Sequence, residues 1–255
     1  MKRTFLVAAL AVVIAASLLW LRTLTAPLES IVKGGTGPPT LVLLHGYGSR
    51  AEDWLQFEEK WQFPLNMRRI YPQAPLRGPH TGQRGWWWLN LNGNIPPGEF
   101  FADYTARNPG GIKVAARLVR DLIKDQPKPI VLGGFSQGAM VSGEIAFQTD
   151  QDLAGLILLS GTPVNEEAWA EHFAGRRRLP ILIAHGRSDD VLSFEKMERF
   201  QARLKAFGSD VTWLPFDGGH EIPFVVVQAI NAFVGRVTSG AAGTAGNLGT
   251  FETVR

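Results

Sequence analysis

Three residues whose types and order could support covalent catalysis lie in loops that follow short apolar runs. Ser136 is the centre of Gly134-x-Ser136-x-Gly138, and Asp189 and His220 follow it along the chain. A serine hydroxyl becomes an effective nucleophile when a histidine accepts its proton, and an acid can fix the imidazole and stabilise the imidazolium. The pattern therefore predicts a catalytic triad of Ser136 as nucleophile, His220 as base and Asp189 as orienting acid.

The sequence around Ser136 predicts a strand, a sharp turn and a helix. Pro129-Ile130-Val131-Leu132 is an apolar, β-branched run typical of a buried strand, and residues 137–147 are rich in helix-forming side chains. A serine at such a corner is the nucleophile elbow, in which flanking glycines allow neighbouring chain segments to approach closely. The following helix directs its N-terminal amides toward an oxyanion formed there.

A second Gly-rich loop supplies the other part of a predicted oxyanion hole. The buried-strand run 41–44 ends at His45-Gly46-Tyr47-Gly48, where this architecture places its second donor. We expect the backbone N–H groups of Tyr47 and Gln137 to stabilise the oxyanion. For His45 we favour a role in positioning the loop over one in proton transfer.

Other assignments for these segments are weaker. Asp190 and Asp217 are rival acids, and Ser160 is a rival nucleophile that no predicted helix follows. The elbow lacks the Lys and Ser/Thr of a phosphate-binding loop, and His220-Glu221 lacks the second histidine of a zinc helix. Zero cysteines exclude disulfides, thiolate metal sites and a cysteine nucleophile. We therefore expect no metal and no cofactor.

Strand and helix patterns alternate along the chain, which predicts an α/β fold with a mostly parallel central sheet flanked by helices on both faces. Ligands of such sheets gather at the carboxyl ends of the strands, where the three triad candidates would meet. The formal charge of +3 is concentrated at the N-terminus, because Lys2, Arg3 and Arg22 precede every acidic residue. No basic stripe remains in the folded part, so we expect no nucleic-acid partner.

Three segments outside the predicted core have their own composition. Residues 1–26 contain an uncharged apolar run after Lys2-Arg3, which predicts a signal peptide or a membrane anchor and therefore an exported protein, periplasmic, secreted or membrane-attached. Residues 27–236 form the predicted domain. Residues 237–255 are rich in Gly, Ala and Thr, which is typical of a disordered tail.

An irregular loop, residues 77–108, interrupts the domain with many Gly, Pro, Asn and aromatic residues. Loops of this length in a domain are usually functional, so we expect its aromatic side chains to line the substrate site. The candidates are Trp86, Trp87, Trp88 and Phe101. An equally weighted alternative is that the tryptophans only anchor the loop.

The chain resembles the phospholipase/carboxylesterase family, a group of α/β-hydrolases. The segments that carry the resemblance are Leu43-Leu44-His45-Gly46-Tyr47-Gly48, Tyr71-Pro72-Gln73-Ala74-Pro75, Gly134-Phe135-Ser136-Gln137-Gly138-Ala139, Leu159-Ser160-Gly161, His185-Gly186-x-x-Asp189 and Gly219-His220. The resemblance implies an α/β-hydrolase fold and hydrolysis of carboxylic esters, with lysophospholipids or thioesters among the substrates. It also supports Asp189 over Asp190 as the acid.

The favoured hypothesis is a serine esterase that acts on a small ester or lipid. Two alternatives stay open from the sequence. One is a module of the same fold that binds a lipid or glycan without catalysis, and the other is a serine peptidase or polyester depolymerase. Fold alone does not fix the substrate.

Overall fold

The computed structural model describes residues 25–64, 66–77, 82–87 and 109–239. Its strands, in chain order, are β1 Ser30–Lys33, β2 Gly37–Leu44, β3 Met67–Pro72, β4 Leu76–Arg77, β5 Arg84–Gly85, β6 Ile130–Phe135, β7 Gly155–Leu159, β8 Ile181–Gly186 and β9 Val211–Phe216. Its α-helices are α1 Ile112–Ile123, α2 Gln137–Gln148, α3 Glu166–Phe173, α4 Phe194–Ala206 and α5 Phe224–Ser239. Two 3₁₀ helices span Ala51–Lys60 and Ala174–Arg176.

Seven of these strands form one sheet in the order β1-β3-β2-β6-β7-β8-β9. Only the edge strand β1 runs antiparallel to its neighbour, and the other pairs of this sheet are parallel. The mostly parallel sheet confirms the fold predicted from the alternating pattern. Because parallel strands end at the same edge, the residues that follow β6, β8 and β9 meet there.

The central strands bury both faces, so each contributes to two hydrophobic clusters. On β6, Leu132 belongs to a cluster with side chains of α1, α2, α3 and α4, whereas Val131 belongs to a cluster with the first 3₁₀ helix and α5. Successive strand side chains point to opposite faces, which explains the division. The helices therefore cover both faces of the sheet, as the sequence predicts.

The segment after β2 is a 3₁₀ helix, Ala51–Lys60, at whose start the Asp53 carboxylate accepts from the Arg50 amide at 3.0 Å. Two local features differ from the expectations. Strands β4 and β5 pair antiparallel at the start of the segment predicted to be irregular, and β4 begins one residue before it. Helix α5 continues to Ser239, past the predicted domain boundary at residue 236.

A glycine contact in this fold gives a stability test. A Cβ built on Gly138 would lie 2.3 Å from the Leu44 carbonyl oxygen, whereas one built on Gly235 in α5 would meet no atom within 4 Å. We expect Gly138→Ala to lower the free energy of unfolding by about 1–3 kcal/mol, since the clash is with backbone. Gly235→Ala, on an exposed helix position, should raise it by about 0.5–1 kcal/mol. Urea unfolding of both variants measures the difference, and equal stabilities would contradict the contact.

Candidate active site

Ser136 occupies a strained turn between β6 and α2. Its φ of 55° and ψ of −119° lie outside the regions that residues with a side chain ordinarily adopt. Hydrogen bonds hold the turn from both sides: the Ser136 amide donates to the Leu159 carbonyl at 2.9 Å, and the Ser136 carbonyl accepts from the Ala139 amide at 3.0 Å. The strand–turn–helix context predicted for the serine is therefore present.

Glycines around the elbow let three chain segments meet. A Cβ on Gly134 would lie 2.4 Å from the Gly138 carbonyl carbon, so only glycine lets the strand and the helix cross this closely. A Cβ on Gly46 would lie 3.3 Å from the Ser136 Cβ. The loop that carries the Tyr47 amide thus runs directly against Ser136, and Gln137 is the first residue of α2.

His45 fixes this loop as a neutral side chain. Its Nδ1 lies 2.7 Å from the Gly46 carbonyl oxygen, and its Nε2 accepts a hydrogen bond from the Ala74 amide at 3.1 Å. The carbonyl can only accept, so Nδ1 carries the proton. Burial lowers the pKa of His45 to about 4. Both ring nitrogens are therefore engaged by backbone groups, which agrees with a positioning role.

His220 and Asp189 lie together at the carboxyl edge of the sheet. The His220 Nδ1 is 2.8 Å from the Asp189 Oδ2, and the Asp189 Oδ1 accepts from the amides of Val191 and Leu192 at 2.9 and 2.8 Å. Burial alone would raise the pKa of Asp189, but hydrogen bonds from His185 and His220 outweigh it and hold the pKa well below its usual range. Asp189 is thus an ionised carboxylate with no exposed surface.

The second histidine on Asp189 is a residue that the sequence analysis missed. The Nε2 of His185 lies 3.1 Å from the Asp189 Oδ2 and 3.0 Å from the Leu192 carbonyl oxygen. Both neighbours are acceptors, so Nε2 carries a proton that they share. The sequence signal for this contact is that His185 lies near the end of a buried strand, four residues before Asp189.

The rival residues lack comparable partners. The Asp217 side chain is 98% exposed, and its carboxylate pairs with the Arg187 guanidinium at 3.6 Å. Asp190 is also exposed. Ser160 also has a positive φ, of 41°, but the next helix begins only at Glu166, so no helix N-terminus follows this serine directly as α2 follows Ser136. The structure therefore favours Asp189 and Ser136 over these rivals.

The predicted substrate wall needs a correction. Trp86 and Trp87 are 2% and 1% exposed, and a side chain this deeply buried offers no surface to a substrate. The Trp86 indole donates to the His45 carbonyl at 2.8 Å. The Gln137 side chain accepts from the Trp86 amide and donates to the Trp87 carbonyl, at 2.7 and 3.0 Å. These tryptophans anchor their segment to the elbow, which is the alternative that the sequence left open. Trp88 and Phe101 lie outside the described residues.

The chain thus carries a serine on such an elbow and, further along, an imidazole held by a buried carboxylate. These are the parts of an α/β-hydrolase of the serine type. The family model described as phospholipase/carboxylesterase matches residues 29–238. The chain therefore belongs to the phospholipase/carboxylesterase family, and it is a serine hydrolase of carboxylic esters.

Curated relatives agree with this assignment, and solved structures agree with the fold. The chain is 27% identical to acyl-protein thioesterase 1 of Gibberella zeae, covering 76% of this chain and 88% of that protein. It is 28% identical to acyl-protein thioesterase 1 of Yarrowia lipolytica, covering 70% and 82%. Esterase PE8 superposes with a TM-score of 0.67 at 24% identity, covering 83% and 100%. Acyl-protein thioesterase 2 of Zea mays gives 0.64 at 24%, covering 82% and 99%.

The predicted export is wrong on these comparisons. The curated relatives are acyl-protein thioesterases of fungi and Dictyostelium, and they give no support for a leader or an anchor. Across residues 25–64, 66–77, 82–87 and 109–239, no helix is both long and apolar enough to cross a bilayer. The apolar run at residues 4–21, on which the prediction rested, lies outside the described residues.

The neutral state of His45 predicts a pH dependence of stability. Below pH 6.5 the unfolded chain protonates this histidine, whereas the folded chain keeps it neutral until about pH 4. Its contribution should therefore fall as the pH drops through that window, by up to about 3 kcal/mol in the free energy of unfolding. The free energy of unfolding, measured with urea at several values between pH 4 and 7, should change less steeply with pH in His45→Gln than in the wild type. His172→Gln controls for loss of a histidine as such, and an unchanged slope in His45→Gln would refute the assignment.

Proposed function

We propose that this chain hydrolyses acyl esters and thioesters through an acyl-enzyme on Ser136. The observation that carries the proposal is the 2.8 Å contact between His220 Nδ1 and the ionised Asp189. Because Nδ1 donates its proton to the carboxylate, Nε2 is left as the basic nitrogen. An imidazole in this tautomer can accept the serine proton, which is the step that makes the hydroxyl nucleophilic.

In acylation, the Ser136 Oγ forms a bond to the carbonyl carbon as its proton passes to the His220 Nε2. The carbonyl oxygen becomes an oxyanion, for which the amides of Tyr47 and Gln137 are the proposed donors. The charge on Asp189 stabilises the imidazolium without taking up the proton. The imidazolium then protonates the departing oxygen or sulfur as its bond to the carbonyl carbon breaks.

In deacylation, water repeats the same chemistry on the acyl-enzyme. His220 accepts a proton from the water while the water oxygen attacks the carbonyl carbon, and it returns that proton to the Ser136 Oγ as the ester bond breaks. The products are a carboxylic acid and free enzyme. The imidazole moves every proton in both halves, so its orientation by Asp189 governs both.

The substrate class rests on the relatives. Fungal proteins named acyl-protein thioesterase 1 support acyl thioesters, and the family description supports carboxylic and phospholipid esters. A thiolate leaves more readily than an alkoxide, so one site can process both. Lysophospholipids share the same carbonyl chemistry, and we include them as candidate substrates.

The first experiment compares the wild type with Ser136→Ala on p-nitrophenyl esters from acetate to palmitate and on acyl thioesters of matching length. Turnover should fall by about 10⁴ or more in the variant for every substrate, since no nucleophile remains. The ratio of kcat/KM between thioester and ester at each length measures the preferred class. Equal rates in the two proteins would exclude the mechanism.

A second test separates the two neighbouring aspartates. Asp189→Asn should lower kcat by about 10⁴, because an amide favours the wrong imidazole tautomer and carries no charge. Asp190→Asn is the matched control, since its carboxylate is exposed and sits one residue away. Its kcat should stay within about twofold of the wild type. Circular dichroism and urea unfolding establish that both variants fold, and a comparable loss in the two would remove Asp189 from its role.

A further inference from the structure

A cavity of about 320 Å³ opens beside His220, a size at the lower end of small-molecule sites, which span about 300–1,000 Å³. Its wall combines residues of the loop after β2, the first 3₁₀ helix and the turn that carries His220. Its apolar part consists of Trp54, Phe57, Phe135 and Ile222. The buried Trp86 and Trp87 do not line this cavity.

We propose that this cavity binds the leaving group of the substrate, an uncharged or cationic alcohol or thiol with an apolar body. The inference rests on the proposed function, because it takes His220 as the group that protonates the leaving atom. A general acid must lie within hydrogen-bond reach of the atom that it protonates. His220 is part of the cavity wall, and the ring of Phe135 packs against it at 4.7 Å. Ser136 itself does not line the cavity, but Gly46 does, and a Cβ on Gly46 would lie 3.3 Å from the Ser136 Cβ. The cavity therefore reaches the surroundings of both Ser136 and His220, where the leaving group would depart.

The apolar part of the wall is held in place by the core. Trp54 is 2% exposed and stacks on Tyr71 at 6.3 Å between ring centroids, and it also contacts Phe57 at 5.8 Å. Phe57 is buried as well. Because Trp54 and Phe57 are almost completely buried, the apolar surface open to a ligand is mainly that of the half-buried Phe135 and Ile222. A wall that the core already holds in place favours binding of an apolar body, because little ordering remains to be done.

The polar part of the wall is acidic. Asp53 and Glu221 line the cavity, and none of the described lining residues is a lysine or arginine. Asp53 is partly compensated, because its carboxylate accepts from the Arg50 amide at 3.0 Å and lies 3.7 Å from the Arg50 guanidinium. Glu221 accepts only a long bond from the Gly219 amide, at 3.3 Å, among the contacts of its carboxylate that the structure gives. An anionic leaving group would be repelled here, and a cation would be attracted.

Leaving group and acyl group can be distinguished by kinetics. The leaving group is absent from the acyl-enzyme, so its subsite affects acylation and leaves deacylation unchanged. An acyl subsite would affect both halves. The side chain of Gln56 lines the cavity and is exposed, so a larger residue there fills the cavity from its outer side without entering the core.

The test compares Gln56→Trp with Gln228→Trp, which makes the same change at an exposed position of α5 that does not line the cavity. With acetate as the constant acyl group, Gln56→Trp should lower kcat/KM for 2-naphthyl acetate roughly tenfold more than for methyl acetate. The ratio between p-nitrophenyl hexanoate and acetate, and the deacylation rate, should stay within about twofold. Gln228→Trp should change none of these ratios.

A second variant, Glu221→Gln, tests the acidic part of the cavity wall. It is informative even if the tryptophan variant does not fold. The substrates are acetylthiocholine, its neutral 3,3-dimethylbutyl isostere and the anionic S-acetyl-3-mercaptopropionate. Glu221→Gln should lower the preference for the cationic over the anionic thioester about threefold, the size expected for an exposed charge. An unchanged preference would overturn the charge selectivity.

The outcomes also distinguish failure of the leaving-group inference from failure of the proposed function. Suppose that Ser136→Ala is inactive, and that the loss of kcat/KM in Gln56→Trp grows with the length of the acyl group. The cavity is then an acyl subsite, and only the leaving-group inference fails. If Ser136→Ala keeps the turnover of the wild type, the proposed function itself fails and the inference falls with it.

Discussion

Helix α2 begins directly against the end of β2, and this close approach fixes the geometry of the site. A Cβ on Gly138 would stand 2.3 and 2.7 Å from the carbonyl oxygens of Leu44 and His45. Because residue 138 is glycine, the start of α2 packs directly against the end of β2, which leads into the loop that carries the Tyr47 amide. The positive φ of Ser136 persists because the packing of β6 before it and of α2 after it fixes the backbone between them. His45 completes the arrangement, because its Nδ1 bonds the Gly46 carbonyl of the loop and its Nε2 accepts from the Ala74 amide in the segment after β3.

The buried charge of Asp189 is the second constraint. An isolated carboxylate without exposed surface would be strongly destabilising, so it must be surrounded by donors. Two amides and two imidazoles supply them, and they belong to the loop after β8, to β8 itself and to the turn after β9. The carboxylate thus joins the ends of two neighbouring strands. His185 lies on the same oxygen as His220, so the orientation of the Asp189 carboxylate does not depend on His220 alone.

The sequence predicts much of this arrangement because its strongest signals are local. Buried strands are short apolar runs, and the glycines around Ser136 mark a turn that has a specific steric requirement. The roles of His185, Trp86 and Gln137 depend on contacts between segments far apart in the chain. The Gln137 side chain forms hydrogen bonds with the backbone of residues about 50 positions earlier in the chain, and no pattern in either segment predicts these bonds. A run of aromatic residues indicates burial and ligand binding equally well, which is why the sequence alone leaves both roles open for the tryptophans.

The central claim is that Ser136 carries the acyl group. The direct measurement is to trap the enzyme with a fluorophosphonate, determine the intact mass and map the modified peptide. We expect one added group, on Ser136, with labelling abolished in Ser136→Ala and retained in Ser160→Ala. A label on Ser160, or labelling that survives in Ser136→Ala, would show that Ser136 is not the nucleophile.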